Sequence, residues 1–135
     1  MQDRNTIEQT LRNAYAARVR GDSKGVTRHF AADGAFQIMG AAKASPVAGE
    51  CAGERALCSR MDELIAGFEL RDQEILSMII EGSKAAVHWR AKVRATGTNK
   101  EEITELFDLI EFKDGQITSF REFCDTALAA QMMQP

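Results

Sequence analysis

Asp108 and Glu122 are the two side chains whose type and placement most readily suggest chemistry. Read as a strand with two-residue alternation, Glu101 to Phe112 puts Leu106, Ile110 and Phe112 on the same side as Asp108. A carboxyl in such a setting must find a partner, stay protonated or line a wet cavity. Ionised and alone it is costly, so its pKa is pushed upward instead. A carboxyl held neutral can donate to a developing oxyanion, and a second carboxyl beside it can take a proton from carbon.

Whether the two acids can cooperate depends on the turn at Lys113-Asp114-Gly115. A two-residue Asp114-Gly115 loop pairs Asp108 with Arg121 and sends Glu122 to the other face. A three-residue loop, with Gly115 left-handed beside a bulge, pairs Asp108 with Phe120 and brings Glu122 to Asp108's face. The second is preferred because it gathers Leu106, Ile110, Phe112 and Phe120 around both acids.

Each site residue also has a plainer reading. Asp108 could be a buried acid bonded to Tyr15 or to backbone, and Glu122 an ion-pair partner of Arg90. Tyr15 falls on the apolar stripe of the first helix, so its hydroxyl needs a partner, as a core tyrosine or as a donor to substrate. Trp89 alternates with Val87, Ala91 and Val93 and reads as core or pocket wall, as do Phe36, Phe120 and Leu106. His88, Arg90, Lys92 and Arg94 form the opposite face of that strand, a charged stripe facing solvent or a second subunit.

The elements that position these residues follow from periodicity. Asn5 followed by Glu8 resembles a capping box, and Ile7, Leu11, Tyr15 and Val19 recur every fourth residue, which predicts a helix ending at Gly21. Asp22 or Ser23 caps a short second helix with Val26 and Phe30 facing inward. Ala35 to Met39 reads as a brief strand and Ala41 to Ala52 as a loop. A third helix from Glu54 to Ala66 carries Leu57, Met61, Leu64 and Ile65. Thereafter Leu70 to Ile80, Ala85 to Ala95, Glu101 to Phe112 and Gln116 to Cys124 read as four strands around turns at Gly82, Gly97 and Gly115. Met132 and Met133 read as soft packing near the C-terminus. Helices first and strands after predict an α+β domain over residues 1–135, three N-terminal helices lying on the concave face of a curved antiparallel sheet.

Composition narrows the function. A chain of 135 residues is one domain long, and its net charge of −3 gives no pull toward nucleic acid or anionic membrane. The polar start from Gln2 to Glu8 has no apolar segment, from which a cytoplasmic protein is expected. Three cysteines without CxxC spacing and two histidines outside any paired motif predict reduced thiols and no metal site. Apolar residues on both sides of the strands from Leu70 onward predict a homodimer through the outer sheet face.

Leu11 to Gly40, LRNAYAARVRGDSKGVTRHFAADGAFQIMG, resembles the opening of the nuclear transport factor 2-like superfamily, particularly its SnoaL-like and ketosteroid isomerase-like branches. The likeness continues through Gly53-Glu54-Arg55-Ala56-Leu57 and through DGQITSFREFCD, from Asp114 to Asp125. It implies a cone of sheet around a deep apolar pocket, usually in a dimer, on a scaffold that hosts isomerases, cyclases, hydrolases and binding domains. Asp108-Leu109-Ile110-Glu111-Phe112 resembles the strand on which ketosteroid isomerases carry a protonated aspartic acid. Their general-base aspartate falls near Ile38, which cannot accept a proton, and their helical tyrosine falls at Ala14, one place before Tyr15. Phe120 to Asp125 is similar to the last strand of limonene-epoxide hydrolases, whose pocket aspartate would be Glu122 and whose Arg-x-Asp pair falls on Arg90 and Lys92. That alignment turns Arg90 into the pocket, against the alternation. SnoaL-type cyclases use an acid near the end of the last strand, and Glu122 is again the match.

The expected activity is cofactor-free acid/base isomerisation or cyclisation of a small apolar carbonyl compound. Asp108 would be the donor to the oxyanion, Glu122 the base and Tyr15 a second donor, with Trp89, Phe36, Phe120, Leu106 and Arg90 contacting the ligand. The alternative is a pocket-bearing binding or accessory domain without turnover.

Overall fold

A computed structural model describes residues 3–135. The first helix, α1 (Arg4–Val19), buries Ile7, Leu11, Ala14, Tyr15 and Ala17, a stripe spaced by threes and fours. It ends in a left-handed Gly21 at φ 78°, where Asp22 N–H donates to Ala17 O at 2.9 Å and Gly21 N–H to Arg18 O. Val19 lies off the stripe and is exposed. The helix start differs from expectation: Asp3 occupies the cap position, without a side-chain bond to the helix backbone, and Asn5 lies inside the helix. Asp22 then caps α2 (Ser23–Thr27) by accepting from Gly25 N–H at 2.9 Å.

Two strands precede the third helix. β1 (Phe30–Ile38) begins five residues before the predicted strand, so Phe30 packs inward from a strand and not from α2. β2 (Gly49–Ala52) falls where a loop was expected, and pairs antiparallel with β1 from Ala35 to Ile38. α3 (Glu54–Gly67) buries Leu57, Met61 and Leu64 and runs straight into β3 (Phe68–Glu81). β4 (Lys84–Ala95), β5 (Glu101–Lys113) and β6 (Gln116–Phe123) complete the sheet. A fourth helix, α4 (Thr126–Met132), was not expected from sequence. It is capped by the Asp125 carboxylate on Leu128 N–H, and it places Met132 in the core while Met133 is exposed.

The sheet is six-stranded and curved, in the order β2-β1-β6-β5-β4-β3. It is mixed, which corrects the antiparallel expectation: β1 runs parallel to β6, with Ile38 level with Glu122 and Met39 N–H donating to Glu122 O at 2.9 Å. The predicted order of helices and then strands also changes, because β1 and β2 lie between the second and third helices. One sheet face carries Val87, Trp89, Ala91, Asp108, Ile110 and Phe120 into the interior, against α1 and α3. The other carries His88, Arg90, Lys92 and Arg94 outward.

Candidate functional site

The site begins at the β5–β6 hairpin. Asp114 and Gly115, both left-handed at φ 52° and 81°, form the two-residue turn between Lys113 and Gln116. Such a turn alone would set Asp108 against Arg121. Thr118 is an extra residue in β6, however, and beyond it the register moves by one, so that Asp108 pairs with Glu122. The Thr118 hydroxyl donates to Glu111 O at 3.2 Å and holds that bulge in place. The three-residue loop is thereby corrected, as is the Asp108–Phe120 pairing. The shared face of the two acids is retained, because one bulge restores the parity.

Asp108 is fully buried. Its Oδ2 accepts from the Tyr15 hydroxyl in a short hydrogen bond and from Trp89 Nε1 at 2.8 Å, while Oδ1 receives no donor from the protein. Glu122 stands directly across the strand pair from Asp108, so the charge of one acid opposes ionisation of the other. Burial pushes the Asp108 pKa well above its usual value and the charge of Glu122 pushes it further, against the pull of Tyr15. Glu122 is also raised by burial, but the neighbouring Asp108 carboxyl and the charges of Arg18 and Arg60 hold it down. Asp108 is therefore the acid that keeps the proton and Glu122 the one that gives it up first. The Tyr15 phenol is raised well above its normal value by burial and by Asp108, and so stays neutral.

An apolar cavity of about 120 Å³ opens between α1, α3, α4 and the inner face of the sheet. An apolar cavity of about 150 Å³ holds benzene, so this one suits a molecule near the size of a single ring. Tyr15, Phe36, Trp89, Leu106 and Phe120 line it, and Glu122 reaches it as a half-buried carboxyl. Asp108 does not. It sits behind the wall, clasped by Tyr15 and Trp89, which moves it from direct contact with a ligand to a place behind Glu122.

Arg90 is corrected outright. Because β4 turns its odd-numbered residues inward, Arg90 points away from the cavity and pairs with Glu74 at 2.7 Å. The ion pair between Arg90 and Glu122 is accordingly absent among the described residues. The basic side chain that does line the cavity is Arg18, which sequence reading passed over. Its signal was present: Leu11, Tyr15 and Arg18 stand at i, i+4 and i+7, one face of a helix. Among the described residues no cluster of His, Cys, Asp and Glu is arranged to hold a metal, and no helix is long and apolar enough to cross a membrane.

Comparison with known proteins agrees with this architecture. The model of the SnoaL-like domain matches residues 11–120. No curated protein matches the chain. A nuclear transport factor 2-like protein of Burkholderia xenovorans is 25% identical, with a TM-score of 0.84 over 99% of this chain and 100% of that one. A candidate isomerase of Bacillus subtilis is 17% identical and superposes with a TM-score of 0.85, over 99% of this chain and 98% of its own. A candidate polyketide cyclase of Xanthomonas campestris is 16% identical, with a TM-score of 0.78 over 98% of this chain and all of its own. At such identities the last two share the fold alone.

Proposed function

The chain belongs to the SnoaL-like domain family, and from that footing we propose that it is a cofactor-free acid/base catalyst that isomerises or cyclises a small apolar carbonyl compound. The observation that supports this most is the Asp108–Glu122 pair, buried in its depth and open to an apolar cavity at one member only. Glu122 takes a proton from the carbon next to the carbonyl and returns it elsewhere on the substrate. Asp108 keeps its own proton, so that Glu122 changes charge without a second carboxylate beside it. Tyr15 and Trp89 fix Asp108, and with Phe36 and Phe120 they exclude water from the reacting carbon. Ile38, level with Glu122 on the neighbouring strand, offers no base of its own, so Glu122 carries that role from β6.

A second reading, a binding domain without turnover, is favoured by one fact: the Tyr15 hydroxyl and the Trp89 N–H are both spent on Asp108 Oδ2, so neither is left to donate to a ligand. The two readings part in one experiment. Solvent deuterium exchange into the α-position of cyclohexanone, followed by proton NMR, should be accelerated by the protein, and Glu122→Gln should lower that rate by about a hundredfold or more. Equal rates with the wild type, the variant and buffer, together with ordinary ligand binding, would establish the binding domain instead. We also propose that the active form is a homodimer joined through the outer sheet face, where Ile79, Ile103, Phe107, Leu109 and Phe123 are exposed.

A further inference from the structure

We propose that Arg18 is the group that receives the substrate's oxygen, so that the ligand lies with its carbonyl on the guanidinium and its acidic carbon toward Glu122. This deepens the acid/base reading and rests on it.

Arg18 is the one Lys or Arg among the residues lining the cavity. Two carbonyls hold it in place: its Nη2 donates to Leu64 O at 3.3 Å, near the end of α3, and to Phe68 O at 3.0 Å, where β3 begins. Nε and Nη1 make no hydrogen bond among the described residues, and no carboxylate there pairs with the guanidinium. A desolvated, pre-oriented donor with free N–H groups is what an oxyanion requires. The other charged groups on the wall are Glu122 and Asp125, and Asp125 is engaged in capping α4 at Leu128 N–H, 2.9 Å away. Arg18 and Glu122 thus stand as opposite charges on one apolar cavity without forming an ion pair. Each feels the other, since the Glu122 charge props up the Arg18 pKa that burial lowers.

Charge conservation explains why a carbonyl compound suits that gap. When Glu122 removes the α-hydrogen as a proton, the C–H electron pair becomes part of the enolate and the negative charge settles on its oxygen. Glu122 becomes neutral in the same step. The cavity holds one cation and one anion before and after, and only the position of the anion changes. Arg18 meets the charge in both places, so no isolated buried charge appears on the way. Tyr15 and Asp108 cannot replace it, because the Tyr15 proton is already donated to Asp108.

Two probes test this: 4-nitrophenolate, a ring-sized oxyanion followed by absorbance, and toluene, which fills the cavity without an oxygen. The wild type should bind 4-nitrophenolate at least about tenfold more tightly than toluene, and should lower the pH at which the bound phenol ionises. Arg18→Gln and Arg18→Met should lose that preference and the ionisation shift while still binding toluene. Glu122→Gln should lower deuterium exchange by about the same hundredfold or more yet keep the phenolate preference, so the catalytic reading and this one can fail separately. A phenolate preference that survives both Arg18 substitutions would overturn the assignment, and so would a wild type that binds both probes equally. Loss of toluene binding in both Arg18 variants would make the residue a brace for α3 and would also overturn it. A wild type that takes neither probe would remove the cavity reading on which it rests.

Discussion

Asp108 shows how far one residue could be read. Its place among Leu106, Ile110 and Phe112 follows from strand alternation, and burial with a raised pKa follows from that place. Which side of the cavity wall it occupies does not follow, since that depends on Tyr15 and Trp89 closing over it from two other elements. The raised pKa carries a sign for stability. The neutral pair contributes fully below the ordinary carboxylate value of about 4, and that contribution is lost as pH rises through the folded-state value. Asp108→Asn keeps the shape, accepts from Tyr15 and Trp89, and offers an amide to Glu122. It should flatten the decline in thermal stability with rising pH. Asp108→Ala leaves the Tyr15 and Trp89 donors unsatisfied and should cost roughly 2–5 kcal/mol in urea unfolding. An Asn variant with the wild-type pH slope would show that this acid is not the source of it.

At the scale of elements, three helices and the antiparallel meander of the last four strands were legible, whereas β2, α4 and the partner of β1 were not. The periods of α1, α3 and the last four strands stand in the sequence, whereas β1 pairs with β6 across most of the chain, and no local signal marks it as parallel. The hairpin register was decided by the bulge at Thr118, and its clue was the pair Ile117 and Phe120. Both are large and apolar and lie three apart, so a regular strand could not bury both. Deleting Thr118 removes the extra residue without changing the partners on either side of it, so the hairpin becomes regular with Ile117 still across from Phe112 and Glu122 still across from Asp108, and the variant should fold and retain ligand binding. Thr118→Gly, which keeps the extra residue, should fold and retain ligand binding. A deletion variant that fails to fold or loses ligand binding would contradict the bulged register, because only in an unbulged strand does the deletion flip every residue after it.

At the scale of the whole molecule, the α+β class and family resemblance were both visible in the chain, because scaffold residues spread over nearly its full length. The outer face is where the molecule is least complete. Ile79 and Ile103 are 64% and 67% exposed, and Phe107 lies across from Phe123, within a surface otherwise bounded by charged residues such as Arg90 and Glu105. The bulges of β3 sort its apolar run: Ile75, Met78 and Ile80 turn toward the core, Ile79 away. A second copy of the chain is the proposed cover. Sedimentation equilibrium at micromolar concentration should give a dimer, and Phe107→Glu should shift it to monomer; a monomeric wild type would remove the proposal.

The acid pair is the centre of the proposed mechanism, and carboxyl carbon NMR on uniformly labelled protein observes it directly. The expected result is a coupled titration of Asp108 and Glu122 in which Glu122 ionises first and Asp108 keeps its proton to a pH well above that of an ordinary aspartate. Two carboxyls titrating independently at or below about 4 would show two ordinary structural carboxylates and contradict the account.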